Sequence, residues 1–152
     1  MKELHLKKGT ALISDRDWCR VKNYNWCING GGYVIGRVDG KRVYLHRFIM
    51  SAPSSLKVDH KNCVRTDNRR CNLRFATQRE NLENSRLSQR NTSGYKGVCW
   101  NKDRQKWQVM LTVNYKNIWG GYFDDKIEAA KMYNKMARKY CGRFARLNEV
   151  KI

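Results

Sequence analysis

The apolar patterning of the chain breaks off between Ser85 and Ser93, where Arg-Leu-Ser-Gln-Arg-Asn-Thr reads as a short basic linker. At 152 residues the chain has room for one ordinary domain or two very small ones, which excludes large cofactor-binding folds and multidomain machines, and the break favours two. We expect a first domain at residues 1–84, a linker at 85–93 and a second domain at 94–152.

Ahead of the break, Thr10 to Met50 alternates in the manner of strands, with Ala11-Leu12-Ile13, Asn25 to Ile28, Tyr33-Val34-Ile35 and Val43-Tyr44-Leu45 separated by Gly30-Gly31-Gly32 and Asp39-Gly40. Lys57 to His60 reads as an extended segment, followed by a loop rich in Asn, Asp and Arg and a short strand, Asn72 to Ala76. Thr77 and Glu80 stand three apart, the spacing of a reciprocal cap, so a helix begins at Gln78. Beyond the break, Tyr95 to Trp100, Trp107 to Val113 and Lys116 to Phe123 read as three strands. Ile127, Ala130, Tyr133, Ala137 and Tyr140 then recur at helical spacing over Asp124 to Tyr140, with Asp124 as the expected N-cap. The class is α+β: a β-rich first domain and a small three-stranded antiparallel sheet packed on one helix.

Charge narrows the partner. The net charge is +19, and both sides of residue 90 contribute: 19 Lys and Arg against 8 Asp and Glu before it, 13 against 5 after it. With 41% hydrophobic residues the chain is a folded body coated for a polyanion, so nucleic acid is the expected partner. The start carries a charge every second or third residue where a signal peptide would need an apolar core, and no run of 18 apolar residues occurs, so we expect no membrane span and a cytoplasmic protein. The six cysteines read first as small hydrophobes. Seven residues separate Cys19 from Cys27 and Cys63 from Cys71, wider than zinc sites usually space a ligand pair, so a structural zinc is not expected.

Between Lys57 and Asn84 stand Asp59, His60, Asn72 and Asn81 on strand, loop edge, second strand and first helical turn. A carboxylate and an amide oxygen are hard donors suited to Mg²⁺ or Mn²⁺, and a neutral histidine beside them can take a proton from water. Phosphodiester hydrolysis needs both. Asp59 and His60 can share a pocket only if their strand ends or bends there, since strand neighbours face opposite sides. His46 is expected on the preceding strand, either as a core histidine or as a third polar group near the phosphate. Arg69, Arg70 and Arg74 are candidate phosphate clamps, at least one of which can be a solvated basic residue.

These residues, in the runs Tyr44 to Met50, Val58-Asp59-His60-Lys61-Asn62, Asp67 to Arg74 and Thr77 to Asn81, resemble the HNH endonucleases of phages and introns over about residues 8–85. The resemblance implies a ββα-metal fold with His60 as general base, Asp59 and Asn81 as ligands of one divalent ion, and Asn72 orienting His60. The last motif position is Asn81 where many relatives carry histidine, the H-N-N variant.

In the second half, alternation puts Trp107, Val109, Leu111 and Val113 on one face and Gln108, Met110 and Thr112 on the other. The third strand puts Asn117 and Trp119 outside and Ile118, Gly120 and Tyr122 on the covered side. A sheet face bearing amides, lysines and an apolar group fits the major groove. The string Asn91-Thr92-Ser93-Gly94-Tyr95-Lys96-Gly97-Val98, with Trp100, Lys106-Trp107, Gly121-Tyr122-Phe123, Glu128-Ala129-Ala130 and Arg146-Leu147-Asn148, is similar to the DNA-binding domain of plant Apetala-two (ethylene-response) factors. By that similarity Lys96, Gly97, Gln108, Met110, Thr112, Asn117 and Trp119 face double-stranded DNA. Cys99, Asn101 and Thr112 replace arginines of the plant factors, so the plant base preference does not carry over. The expectation is a monomeric or weakly associating, homing-type DNA endonuclease that nicks. The alternative is a non-cleaving DNA-binding regulator with a degenerate nuclease half.

Overall fold

The computed structural model describes residues 1–150, and the chain divides into two compact units, Met1–Asn81 and Leu82–Ile152. In the first, strands β1 (Lys2–Leu6) and β2 (Gly9–Ile13) form a hairpin, followed by helix α1 (Asp15–Val21). Strands β3 (Trp26–Ile28), β4 (Val34–Val38) and β5 (Lys41–Tyr44) make an antiparallel sheet in that order. Helix α2 (Leu45–Met50) leads to a second antiparallel pair, β6 (Lys57–His60) and β7 (Leu73–Ala76), and helix α3 (Gln78–Glu83) follows.

Three of these elements were not expected. β1 lies ahead of the alternating region, and α1 and α2 fall within the stretch that reads as strands. Both helices are short, and α1 buries only Asp17 and Val21 while α2 buries Leu45, His46 and Ile49. So few turns do not establish a 3.6-residue period in the sequence. In particular His46, expected on a strand, lies on α2, because the strand ends one residue earlier than read, at Tyr44.

Ala11, Ile13, Val21, Val34, Leu45, Ile49, Val58 and Leu73 pack into one core with Trp26. Gly36 makes this packing possible: a Cβ there would stand 2.6 Å from Trp26 Cε3 and 2.7 Å from the Asn25 carbonyl oxygen. The expected cap of α3 is present, with the Glu80 amide donating to Thr77 Oγ1 at 3.2 Å and the Thr77 amide donating to Glu80 Oε2 at 2.7 Å.

In the second unit, β8 (Val98–Asn101), β9 (Lys106–Val113) and β10 (Lys116–Phe123) form an antiparallel sheet in the order β10-β9-β8, followed by helix α4 (Lys126–Cys141) and a single 3₁₀ turn (Gly142–Phe144). Val98, Val109, Leu111 and Val113 meet Ala129, Ala130, Tyr133, Met136 and Ala137 in a second core. The N-cap of α4 is Asp125, which accepts from the Ile127 and Glu128 amides, and not the expected Asp124, which pairs with Lys106 at 2.9 Å. A register shift between Trp119 and Gly121 also moves Tyr122 from its expected place. The bulge opposes Tyr122 to Gln108 and brings its ring to 4.6 Å from that of Trp119, on the outer side of the sheet. Of the cysteines only Cys141 is buried in a core, and Cys19, Cys27, Cys71 and Cys99 are exposed, so the small-hydrophobe reading holds for Cys141 alone among these five.

Candidate active site

Pairing of β6 with β7 sets Asp59 opposite Arg74 and His60 opposite Leu73. Alternation would send Asp59 and His60 to opposite faces, but β6 ends at His60, and the Asp59 carboxylate stays close enough to act on the His60 pKa. Asp59 Oδ2 accepts from Arg74 Nε at 2.8 Å and Nη2 at 2.7 Å, and the carboxylate is 6% exposed. His60 meets a cluster of rings: His46 of α2 with centroids 5.0 Å apart, and Tyr33 at 6.3 Å.

The loop joining β6 to β7 supplies the contact that matters most for the imidazole. Asn68, fully buried, places Oδ1 3.3 Å from His60 Nε2 while its Nδ2 donates to the Thr66 carbonyl at 3.1 Å. The second bond fixes which end of the amide faces the ring. Oδ1 can only accept, so Nε2 carries the proton and the lone pair lies on Nδ1. Burial pushes the His60 pKa below its ordinary value, against the opposing pull of the Asn68 hydrogen bond and of Asp59. The ring is thus neutral and fixed in one tautomer at neutral pH.

Asn68 is held from elsewhere in the chain. Leu12 of β2 forms a parallel bridge with Asp67, its amide donating to the Thr66 carbonyl and its carbonyl accepting from the Asn68 amide, both at 2.9 Å. Asn72 spans the same loop, accepting from the Asn62 amide at 3.0 Å and donating to the Asp67 carbonyl at 2.8 Å. Its side chain, expected beside His60, braces the loop that presents Asn68. Asn68 was not singled out in the sequence; the signal was its place in the Asp67-Asn68 step of the motif, which does not reveal what it touches.

The three expected phosphate clamps each meet a carboxylate. Arg69 grips Asp67 through two bonds of 2.7 Å, which holds the Asp67 pKa below its usual range. Arg70 forks onto buried Asp17 and donates to the Ile49 carbonyl at 2.6 Å, tying the loop to α1 and α2. Arg74 meets Asp59 as described. His46 is 7% exposed, its Nδ1 is buried with no hydrogen-bond partner, and burial lowers its pKa to about 3. Asn81 stands half-buried on α3, its amide donating to the Thr77 carbonyl at 3.1 Å.

Among the described residues no cluster of three His, Cys, Asp or Glu side chains is arranged for a metal ion. Asp59 and Asn81 each carry an oxygen donor of the kind hard divalent cations take, and the Asp59 carboxylate is at the same time held by Arg74.

In the second unit, Gln108 bridges Asn101 and Cys99 at 3.1 and 3.0 Å, and Thr112 donates to Asn117 at 2.7 Å. Trp119 is 49% exposed and Met110, opposite it on β9, is half-buried. Lys96 and Gly97 are committed to the fold itself. Lys96 Nζ donates to the Glu83 and Ser85 carbonyls at 2.8 and 2.9 Å, and Gly97 has φ 70° with no room for a Cβ, which would stand 2.2 Å from the Tyr133 ring. No helix of the described residues is long and apolar enough to cross a membrane.

Residues 43–83 match the HNH endonuclease family. An uncharacterized HNH endonuclease of Acanthamoeba polyphaga mimivirus is 33% identical over 153 residues, covering 94% of this chain and 77% of the relative. Protein 3.8 of Escherichia phage T7 is 31% identical over 94 residues, covering 62% of this chain and 77% of that protein. No solved structure matches.

Proposed function

The chain belongs to the HNH endonuclease family, and from that premise we propose that it is a homing-type DNA endonuclease that nicks its target, with β6, β7 and α3 as a ββα-metal site. The observation that carries this reading is the bond from His60 Nε2 to Asn68 Oδ1, which holds a buried, neutral imidazole with its lone pair on Nδ1.

In the proposed reaction His60 Nδ1 takes the proton from a water that attacks phosphorus in line with the departing 3′ oxygen. Asn68 keeps the ring in the tautomer that can accept this proton, and Asn72 acts on His60 through the loop it braces. Asp59 and Asn81 would hold one Mg²⁺ or Mn²⁺, which when bound neutralises charge on the phosphate and the leaving oxygen. Arg74 orients the Asp59 carboxylate. Packing of His46 against His60 limits the ring's freedom. One such site per chain supports cutting one strand at a time.

For the second unit we propose an Apetala-two-like DNA-binding domain over residues 94–152, joined by the 85–93 linker to a nuclease domain at 1–84. Gln108, Met110, Thr112, Asn117 and Trp119 would meet the major groove of double-stranded DNA, with Tyr122 added beside Trp119 by the bulge. The protein would act as a monomer in the cytoplasm of a phage-infected or bacterial cell.

The test is conversion of supercoiled plasmid carrying the host's neighbouring genomic DNA, in Mg²⁺, Mn²⁺ or EDTA, by the native protein and His60→Ala. Nicking that needs the metal and falls by roughly 10²–10⁴-fold in the variant is expected. Binding of that DNA with no cleavage in either metal would replace the endonuclease by a DNA-binding regulator.

A further inference from the structure

The hairpin of β4 and β5 closes through Asp39 and Gly40, both with positive φ (48° and 76°), and this tight turn fixes its register. Arg37 and Arg42 are thereby set directly opposite one another, both exposed. Side chains so placed have Cβ atoms roughly 4.5–5.5 Å apart, and like charges there are destabilising. Other arginines of this unit have partners within the fold: Arg69, Arg70 and Arg74 meet Asp67, Asp17 and Asp59, and Arg20, Arg47 and Arg65 donate to backbone carbonyls. Arg37 and Arg42 form no such pair among the described residues. Two exposed arginines at directly opposed positions, with no carboxylate partner among the described residues, suit an anion that is brought to them.

The surface around the pair is shaped for a polymer rather than a single ion. Arg37 and Arg42 border an open depression of about 550 Å³ that Asn23 and Asn25 also line. Arg42 is shared with a second depression of about 480 Å³ bordered by Arg20, Tyr44 and Arg47. Tyr44, two residues along β5 and on the same side as Arg42, lies 5.4 Å from the His46 ring, which lies 5.0 Å from His60. Two residues of strand span about 7 Å, the axial rise of roughly two nucleotides. A line of donors and rings thus runs from the arginine pair to the proposed general base.

We propose that the outer face of the β3-β4-β5 sheet is a phosphodiester-binding track, on which Arg37 and Arg42 hold the backbone of duplex DNA flanking the bond presented to His60. This rests on the reading of the chain as a DNA nuclease, and it adds a contact surface in the first unit, separate from the sheet face of the second.

The test is the salt dependence of duplex DNA binding in EDTA by the native protein, by Arg37→Gln/Arg42→Gln, and by a charge-matched control, Lys7→Gln/Lys8→Gln, in the exposed turn between β1 and β2. Each phosphate contact contributes about 0.9 to the slope of log K against log salt, so the arginine double variant should lower the slope by about two and each single variant by about one. The control should leave it unchanged. The melting temperature of the double variant should stay level or rise, because a like-charge pair has been removed. An unchanged slope in the double variant, an equal fall in the control, or no DNA binding by the native protein overturns the track. Plasmid nicking by the native protein in Mg²⁺ is run in parallel: nicking with an unchanged slope sinks the track alone, and a lowered slope without nicking sinks the nuclease reading alone.

Discussion

Asn68 Oδ1 lies 3.3 Å from His60 Nε2, and the same amide donates through Nδ2 to the Thr66 carbonyl, so one fully buried side chain links the imidazole to the backbone of the loop that β2 anchors. It makes Asn68 a positioning residue for His60. Asn68→Ala removes both bonds and should cost roughly 1–3 kcal/mol of stability through buried groups left unpaired. Nicking should fall about 10–100-fold, the usual effect of losing the partner that orients an active histidine. Asn68→Asp separates positioning from folding. It keeps the acceptor but sets a carboxylate against the ring, which favours imidazolium, so the acid limb of the pH–rate profile should move to higher pH. A profile unmoved in a folded Asn68→Asp protein would reduce Asn68 to a structural role.

How much of this was legible depends on the range of the interactions. The alternation of β9 and the cap at Thr77 are local patterns, and the structure has them as the sequence reads. Tyr122 was misplaced because alternation assumes an unbroken ladder. At the bulge Gly120 lies so close to α4 that a Cβ would stand 2.6 Å from Met136 Sδ, a constraint visible only once the helix is in place. The candidate site divides in the same way. Asp59 and His60 stand out as neighbours in the chain, whereas the reach of Asn68 to His60 depends on the bridge from Leu12 to Asp67, 55 positions away. The ion pairs of Arg69, Arg70 and Arg74 were hidden for a related reason, since an arginine-rich loop reads alike whether its partners are phosphates or carboxylates.

Arg70 distinguishes those two kinds of partner. Its guanidinium covers Asp17, which is 2% exposed, so Arg70→Gln leaves that buried carboxylate only the 4.0 Å contact of exposed Arg16. Breaking a buried pair from one side costs about 3–5 kcal/mol. The expected result is a large fall in melting temperature with the salt slope of DNA binding kept. A lowered slope at an unchanged melting temperature would make Arg70 a phosphate contact instead.

Acid should destabilise the first unit through His46. This ring, packed against His60 of β6, Tyr33 and Tyr44 and next to Arg47, resists protonation until about pH 3, whereas in the unfolded chain it titrates near 6.5. Between these values the unfolded state binds a proton that the folded state does not, so stability is full above about 6.5 and declines as pH falls, by at most about 1.4 kcal/mol per pH unit for this one group. The depressed pKa of His60 acts in the same direction. Thermal unfolding from pH 7 to 4.5 should show the decline in the native protein and a shallower one in His46→Phe. Equal slopes in the two would mean that His46 is protonated in the folded state.

At the tip of the β9–β10 hairpin, Asn114 and Tyr115 both have positive φ, 53° and 60°, the geometry of a two-residue turn that favours Asn followed by Gly. Tyr115 is 86% exposed, so little packing offsets the left-handed backbone, which costs a residue with a side chain about 1–2 kcal/mol. Glycine adopts this conformation without that penalty but gives the unfolded chain more freedom to lose. The difference should leave Tyr115→Gly more stable by about 0.5–1 kcal/mol, read as a rise of a few degrees in the melting temperature of the second unit. Ala should not stabilise, because it keeps the Cβ that conflicts with the backbone. If Tyr115→Gly instead melts lower, the exposed ring makes a contact in solution strong enough to outweigh the strain, and the turn is set by its side chain rather than its backbone.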